Sequence, residues 1–390
     1  MSAREALWAV LLLMAAGTAS AETNPFYVGA NVSLSHDSNV FRLPRARSDT
    51  AYSAGLTAGF DQPIGRQRIY ARGTLRENRF QDLSQLDHTG YAIHAGLDWE
   101  TIGKLSGTLR HSSAEGLFNH GGANTAQSTA RNLETSSETL ARIKYGAAAL
   151  LAVEATLTHR MLRYSDVAYR SNGLTQDAAG VALSYQPSAG LRLGTGLRFA
   201  RGQSEGTGSD FDRRDIDLTA TWLATGMSTL DGRLSLGQRE SRGGTSQLDF
   251  SGFTGQLIWN YQPTGKLHIK TSVSRETGAE SSFLKVDDSQ NGTLGDTSRI
   301  THAAVLNAAY MLSPKMSVNA GFRANHRSLV SGAFEGSDSL HSAMLGVSYA
   351  PLRNVALSCR VSRETRSSSG SLSFGYGAST ATCTAEIKLQ

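Results

Sequence analysis

Seven arginines pose the chemical question in this chain: Arg68, Arg72, Arg76, Arg192, Arg198, Arg323 and Arg360. Even spacing within Arg68-Arg72-Arg76 and within Arg192-Arg198 keeps each group on one face of an extended strand, where successive side chains alternate sides. Arg110, Arg142, Arg160, Arg233, Lys270 and Arg327 share that polar parity, whereas the acids on it are fewer, among them Asp98, Glu138, Glu154, Asp215 and Asp217. A surface with surplus guanidinium groups concentrates anions and grips carboxylates or phosphates through bidentate contacts. The plainer reading is a ladder of arginine–carboxylate pairs that stiffens a wall.

Other chemistry is sparse. There is no Gly-x-Ser-x-Gly, no phosphate-binding glycine loop and no His-Glu-x-x-His, and the ten histidines are scattered singly. A Ser–His pair meeting across strands near a rim would suit a membrane-embedded hydrolase, but no pair stands out. The run Asp287-Asp288-Ser289-Gln290-Asn291-Gly292 departs from a calcium loop, with Ser298 where a bidentate Glu belongs, and reads as a flexible turn. Asn291-Gly292-Thr293 matches a glycosylation acceptor that has no relevance in a cell with an outer membrane. No catalytic residue, metal or cofactor is therefore expected. Cys359 and Cys383 share the apolar parity of the last two strands. Pairing them sets Asn354 opposite Lys388, so a disulfide staple is favoured slightly over two unpaired thiols.

The arginines need strands to carry them. In residues 89–100 the odd positions Tyr91, Ile93, Ala95, Leu97 and Trp99 are apolar, and Gly90, His94, Gly96, Asp98 and Glu100 lie between them. Leu191, Leu193, Leu197 and Phe199 repeat the pattern around Arg192 and Arg198, and Val355, Leu357 and Val361 repeat it around Arg360. Strict alternation marks a strand with two different faces. About 18 such strands fit the chain, at roughly 20 residues for each tilted strand and its connection. Short connections such as 62–65, 101–103, 186–190, 262–265 and 351–353 alternate with longer polar ones at 36–49, 115–131, 165–173, 203–212, 279–296 and 328–338. Pro and Gly at the short sites are turn formers.

An aromatic ends the apolar face of nearly every strand that enters a short turn: Phe60, Trp99, Tyr145, Tyr185, Trp222, Tyr261, Tyr310 and Tyr349. A ring of such residues at one strand end is the girdle that a membrane interface selects. A sheet facing lipid must then close, because an open edge leaves unpaired amides in hydrocarbon. The expected fold is all-β: a transmembrane antiparallel β-barrel of about 18 strands, with short turns in the periplasm and long loops outside.

Composition agrees. The 390 residues carry 38 Lys and Arg against 33 Asp and Glu, a net charge of +5, with 39% hydrophobic residues, 40 glycines and two cysteines. A helical membrane protein, a disulfide-framework mini-protein and a collagen-like chain are excluded. The weak basic excess alternates with apolar residues along strands and forms no nucleic-acid-binding cluster. Residues 1–21 combine Arg4, an apolar stretch from Leu7 to Ala16 and Ala19-Ser20-Ala21, which read as a cleaved signal peptide. Residues 22–390 form the second unit, the barrel.

The opening Tyr27-Val28-Gly29-Ala30-Asn31-Val32-Ser33-Leu34-Ser35-His36-Asp37-Ser38-Asn39-Val40-Phe41-Arg42-Leu43 resembles the start of an outer-membrane β-barrel porin family that includes EpsL-type proteins, encoded with bacterial exopolysaccharide biosynthesis. Leu83-Ser84-Gln85-Leu86-Asp87-His88-Thr89-Gly90-Tyr91 is similar to it as well. The resemblance is strongest over roughly the first 110 residues. It implies a barrel in the outer membrane of a Gram-negative bacterium, associated with polysaccharide export or secretion, and supplies no active-site residues. The chain departs from such barrels in ending Ile387-Lys388-Leu389-Gln390, without the aromatic that assembly machinery reads.

These features together lead to the expectation of a non-enzymatic, porin-like channel for exopolysaccharide or anionic solutes, with the seven arginines lining its lumen. Its expected partners are outer-membrane lipid, acidic exopolysaccharide or small anions, and the barrel-assembly machinery, with no nucleic acid. The alternatives are a non-conducting structural anchor of a polysaccharide or secretion assembly, and a barrel-embedded lipid or glycan hydrolase.

Overall fold

The structure is a computed structural model that describes residues 24–118, 128–146, 150–205, 210–242, 249–277, 298–331, 334–370 and 372–389. The segment 1–21 expected to be a signal peptide lies outside the described residues, as does the run Asp287–Gly292 with its glycosylation-like Asn291-Gly292-Thr293.

Alternation gives strands throughout. The hairpins begin with β1 (Phe26–Asp37), β2 (Asp49–Ile64), β3 (Gln67–Phe80), β4 (His88–Glu100), β5 (Leu105–Leu117) and β6 (Leu133–Tyr145). They continue with β7 (Leu151–Tyr164), β8 (Leu174–Ser188), β9 (Leu191–Ser204), β10 (Asp210–Thr225), β11 (Ser228–Arg242) and β12 (Phe250–Thr264). The last six are β13 (Leu267–Glu276), β14 (Ser298–Ser313), β15 (Met316–Ser331), β16 (Phe334–Leu352), β17 (Val355–Ser369) and β18 (Tyr376–Leu389). All neighbours are antiparallel, and β1 pairs with β18 from Val28↔Leu389 to Asp37↔Thr380, closing one 18-stranded sheet.

Closure removes every sheet edge, and the two faces separate by parity. Val28, Val32 and Leu34 point outward on β1, Leu56 on β2, Leu157 on β7 and Val361 on β17, each between 48% and 61% exposed. Apolar exposure on that scale around a whole cylinder has only lipid as a stable counterpart. No helix among the described residues is long and apolar enough to cross a membrane, and the strands do so instead.

At the short-turn end the strands run further than the turn residues imply. Tyr185, Tyr261 and Tyr349 are each followed by a register shift that contains Pro187, Pro263 or Pro351. Proline lacks the N–H that a ladder needs, so it sits at the bulge and the strand resumes for one more pair. At the other end, the loop expected over 328–338 is mostly strand, with β15 and β16 paired out to Ser331↔Phe334. Connections at 81–87 and 370–375 take up that side instead.

The long connections pack rather than splay. Phe41, Leu83 and Leu86 bury one another beneath the β1–β2 and β3–β4 connections, with Phe80 and Leu117 against them. Phe118, Leu162, Tyr164, Tyr169, Leu174 and Phe211 form a second cluster over β5 to β10. Tyr169 belongs to a single helical turn, Val167–Arg170, capped by the Asp166 carboxylate, which accepts from the Ala168 N–H. Gly202 stands directly opposite Phe211, and a Cβ there would collide with the ring that the cluster needs.

Candidate pore lumen

Register places all seven arginines on the inner face. Arg68, Arg72 and Arg76 alternate on β3 with the outward Ile69, Ala71, Gly73 and Leu75. Arg192 and Arg198 share the inner face of β9, Arg323 that of β15 and Arg360 that of β17. A cylinder of 16–18 strands is wide enough to hold water inside. The eight aromatics Phe60, Trp99, Tyr145, Tyr185, Trp222, Tyr261, Tyr310 and Tyr349 all point outward near the short turns, with Phe26 beside Phe60 (centroids 6.0 Å) and Trp259 stacked on Tyr261 (5.1 Å).

The inner arginines divide into two chemical kinds. Some are spent on carboxylates. Arg68 forks onto Asp61 seven residues earlier, with Nε donating to Oδ1 at 2.7 Å. Arg198 reaches Asp217 at 3.1 Å and its direct cross-strand partner Asp215 at 3.2 Å. Arg192 donates to the Gln186 side chain at 2.9 Å.

Arg72, Arg76, Arg323 and Arg360 form no ion pair among the described residues. Arg72 and Arg76 line a recess of about 520 Å³ with Asn31, Asn78, His88 and His94. Arg323 and Arg360 face a larger cavity of about 1150 Å³, shared with Lys270, His268, Asn260, Asn307 and Asn319. Glu364 lines the larger cavity and Glu115 and Glu386 the smaller, but none of them forms an ion pair with these four guanidinium groups, which suit an anion better than a cation.

Towards the loop end the interior is braced by buried ion pairs. Arg213 Nε donates to Asp215 at 2.8 Å, both side chains being almost fully buried, and its Nη1 donates to Thr277 Oγ1 at 2.6 Å. Arg160 pairs with its cross-strand partner Glu138 at 2.9 Å. Arg327 Nε donates to its opposite number Asp338 at 2.8 Å, and Ser373 donates to the same carboxylate. Arg42 joins Asp37 and Glu364, at 2.9 and 3.3 Å. Arg213 and Asp215 share β10, and each of the other pairs holds two neighbouring strands, or a strand and a loop, in one geometry.

Arg213 and Asp338 escape a reading by sequence for different reasons. Arg213 sits two residues from Asp215 on the same parity, which is a usable signal. Asp338 lies within an expected loop and shows its partner only once β16 is seen to extend. On the outer face Cys359 and Cys383 are direct partners with Cα atoms 4.1 Å apart, and they are joined by a disulfide. The Lys388 N–H donates to the Asn354 carbonyl at 2.8 Å, which keeps the two strand ends level.

A hydroxyl–histidine pair does occur at the rim, His326 Nδ1 lying 2.9 Å from Ser339 Oγ. His36 with Thr50 (3.0 Å) and His111 with Thr139 (2.8 Å) have the same arrangement, which marks it as a recurrent cross-strand contact and singles out no nucleophile.

No protein-family model matches the sequence, and no curated protein matches it. Solved structures do. The outer-membrane protein OpdK of Pseudomonas aeruginosa is 12% identical, with 93% of this chain covering 99% of that one at a TM-score of 0.51. OccAB4 of Acinetobacter baumannii is also 12% identical, at 95% and 99% coverage and a TM-score of 0.51. OpdK has been solved with vanillate as well, and that structure matches at 12% identity, 93% and 98% coverage and a TM-score of 0.50. Identity this low speaks for architecture alone. That architecture and the lipid-facing wall together make the chain a closed, 18-stranded β-barrel of the outer-membrane type.

Proposed function

We propose that the protein is a passive outer-membrane channel for small anionic solutes, its short turns in the periplasm and its long loops outside. One observation carries this reading: Arg72, Arg76, Arg323 and Arg360 face the lumen and form no ion pair among the described residues, whereas Arg68, Arg160 and Arg198 are held by carboxylates. The free guanidinium groups would attract an anion into the barrel and pass it along by bidentate contacts that are easily exchanged with water. Carboxylates and phosphates fit that chemistry. The two packed clusters near the loop end favour a small solute over a polymer chain, so an exopolysaccharide is the less favoured cargo. The eight outward aromatics would anchor the periplasmic interface.

Planar-bilayer recording tests the reading. The refolded barrel is expected to conduct, and a salt gradient should give a reversal potential of anionic sign. Changing Arg72, Arg76, Arg323 and Arg360 together to Gln should move that potential towards zero. A cation preference in the unaltered protein defeats the anion proposal. Absence of conductance steps defeats the channel and favours the non-conducting anchor, for which the packed mouth is the supporting observation.

A further inference from the structure

The outer wall has a second belt, opposite the aromatic one. About eight residues along each strand from Tyr310 and Tyr349, the outward positions cease to be apolar and become His302 on β14 and His341 on β16. Arg275 on β13, His326 on β15 and Arg363 on β17 occupy the same level. Eight residues of strand tilted by about 40° rise about 20 Å along the barrel axis, most of the apolar band of about 25 Å that such barrels present to lipid. These five side chains therefore stand where hydrocarbon gives way to headgroups at the loop end.

Charge is distributed unevenly around this belt. On β7 to β11 most outward cations meet acids: His159 lies 2.7 Å from Asp177, and Asp212 receives both Arg201, at 3.3 Å, and Arg242, although Arg214 on β10 forms no ion pair among the described residues. On β3 and its following connection, Arg79 is held by Glu77 at 2.6 Å and Asp87 at 3.1 Å. From β13 to β17 the pattern breaks. Arg275 is paired directly with His302, its Nη1 3.1 Å from His302 Nε2, and His302 is paired directly with His326. Among the described residues Arg275 also touches the Phe253 carbonyl (3.1 Å) and ring, and Arg363 the Ser379 hydroxyl (3.2 Å). Among the described residues the one outward carboxylate on these strands is Glu335, at the tip of the β15–β16 hairpin well above the arc.

We infer that this arc, Arg275–His302–His326–His341–Arg363, is a docking site for the phosphorylated headgroup of an anionic lipid in the outer leaflet. Two guanidinium groups with imidazoles between them, and no carboxylate at their level, present a row of N–H donors that an anion lying over them would satisfy. A lipid phosphate supplies that anion at the right depth, accepting from both guanidinium groups and from imidazole N–H groups. The arc spans four inter-strand steps, about 19 Å, which accommodates a headgroup bearing more than one phosphate. The site is on the lipid face and is independent of whether the lumen conducts.

The test uses the full barrel in detergent micelles doped with diphosphorylated lipid A, or with the same lipid stripped of its phosphates, read by native mass spectrometry. The unaltered barrel should retain the phosphorylated lipid and not the stripped one. Arg275→Gln with Arg363→Gln should weaken retention roughly thirty-fold, the effect of two arginines on an anionic surface. Arg201→Gln with Arg242→Gln, on the acid-paired arc, should leave it unchanged. Heat-dependent gel mobility identifies variants that still form the barrel. Equal retention of the stripped lipid, or undiminished binding by a folded Arg275/Arg363 variant, overturns the proposal.

Discussion

Arg213 on β10 and Thr277, just past β13, meet at 2.6 Å although 64 residues separate them in sequence. That contact ties the start of the β13–β14 connection to the inner wall three strands away and faces it into the barrel. Thr277→Val should therefore destabilise by about 1–3 kcal/mol, the cost of removing a partner from a buried charged donor. Urea unfolding in vesicles, followed by tryptophan fluorescence, measures it.

The Arg327–Asp338 pair allows a sharper test. Asp338 is fully buried at its side chain and Arg327 nearly so. Asp338→Asn should cost about 3–5 kcal/mol because it strands a buried guanidinium, whereas Arg327→Met with Asp338→Leu should recover most of that loss. If the single and double variants unfold alike, the pair is not the brace described here.

Asp61 holds Arg68 near the short-turn end. Asp61→Asn releases that guanidinium without altering shape, adding one uncompensated positive charge to the lumen. The reversal potential in a salt gradient should shift further in the anionic direction, with little change in single-channel conductance.

The Cys359–Cys383 disulfide closes a separation of 24 residues. A loop of that size predicts about 3 kcal/mol of stabilisation through the unfolded chain. Cys359→Ser should lower the temperature at which the folded band converts to the unfolded one on gels, and added reductant should reproduce the shift in the unaltered protein alone.

Asp87, outside the strands, accepts from the Phe80 N–H at 2.7 Å and from Arg79 at 3.1 Å, and these donors hold its carboxyl below the ordinary value. A depressed carboxylate stabilises the folded loop above its unfolded value, near 4, and that contribution disappears as pH falls through the lower folded value. Protection of the amides in residues 81–87, measured against their intrinsic exchange rate at each pH, should therefore fall in acid below about pH 4. Asp87→Asn should exchange faster at neutral pH and show less acid dependence.

Much of the architecture is legible in the primary structure because it depends on a period of two. Leu193, Leu197 and Phe199 against Arg192 and Arg198 already assign inside and outside, and the eight aromatics already mark one end of the cylinder. Strand number follows from the same count. Strand ends do not follow, since Pro187, Pro263 and Pro351 announce turns yet occupy bulges that a strand can pass. The packing of Phe41 with Leu83 and Leu86 was equally hidden, because apolar residues in loops have no periodicity to betray them.

What alternation along the chain decided was which side chains share a face. What only the closed sheet decided was which of them touch. Arg68 and Arg72 are indistinguishable by parity, yet one is neutralised by Asp61 and the other forms no ion pair among the described residues, because hairpin register sets partners to within a single residue. His302 and His326 lie far from any ligand spacing in sequence and become neighbours only across β14 and β15. Coulombic and hydrogen-bond energies fall off over a few ångströms, so the chemistry of this barrel resides in a register that a linear pattern does not contain.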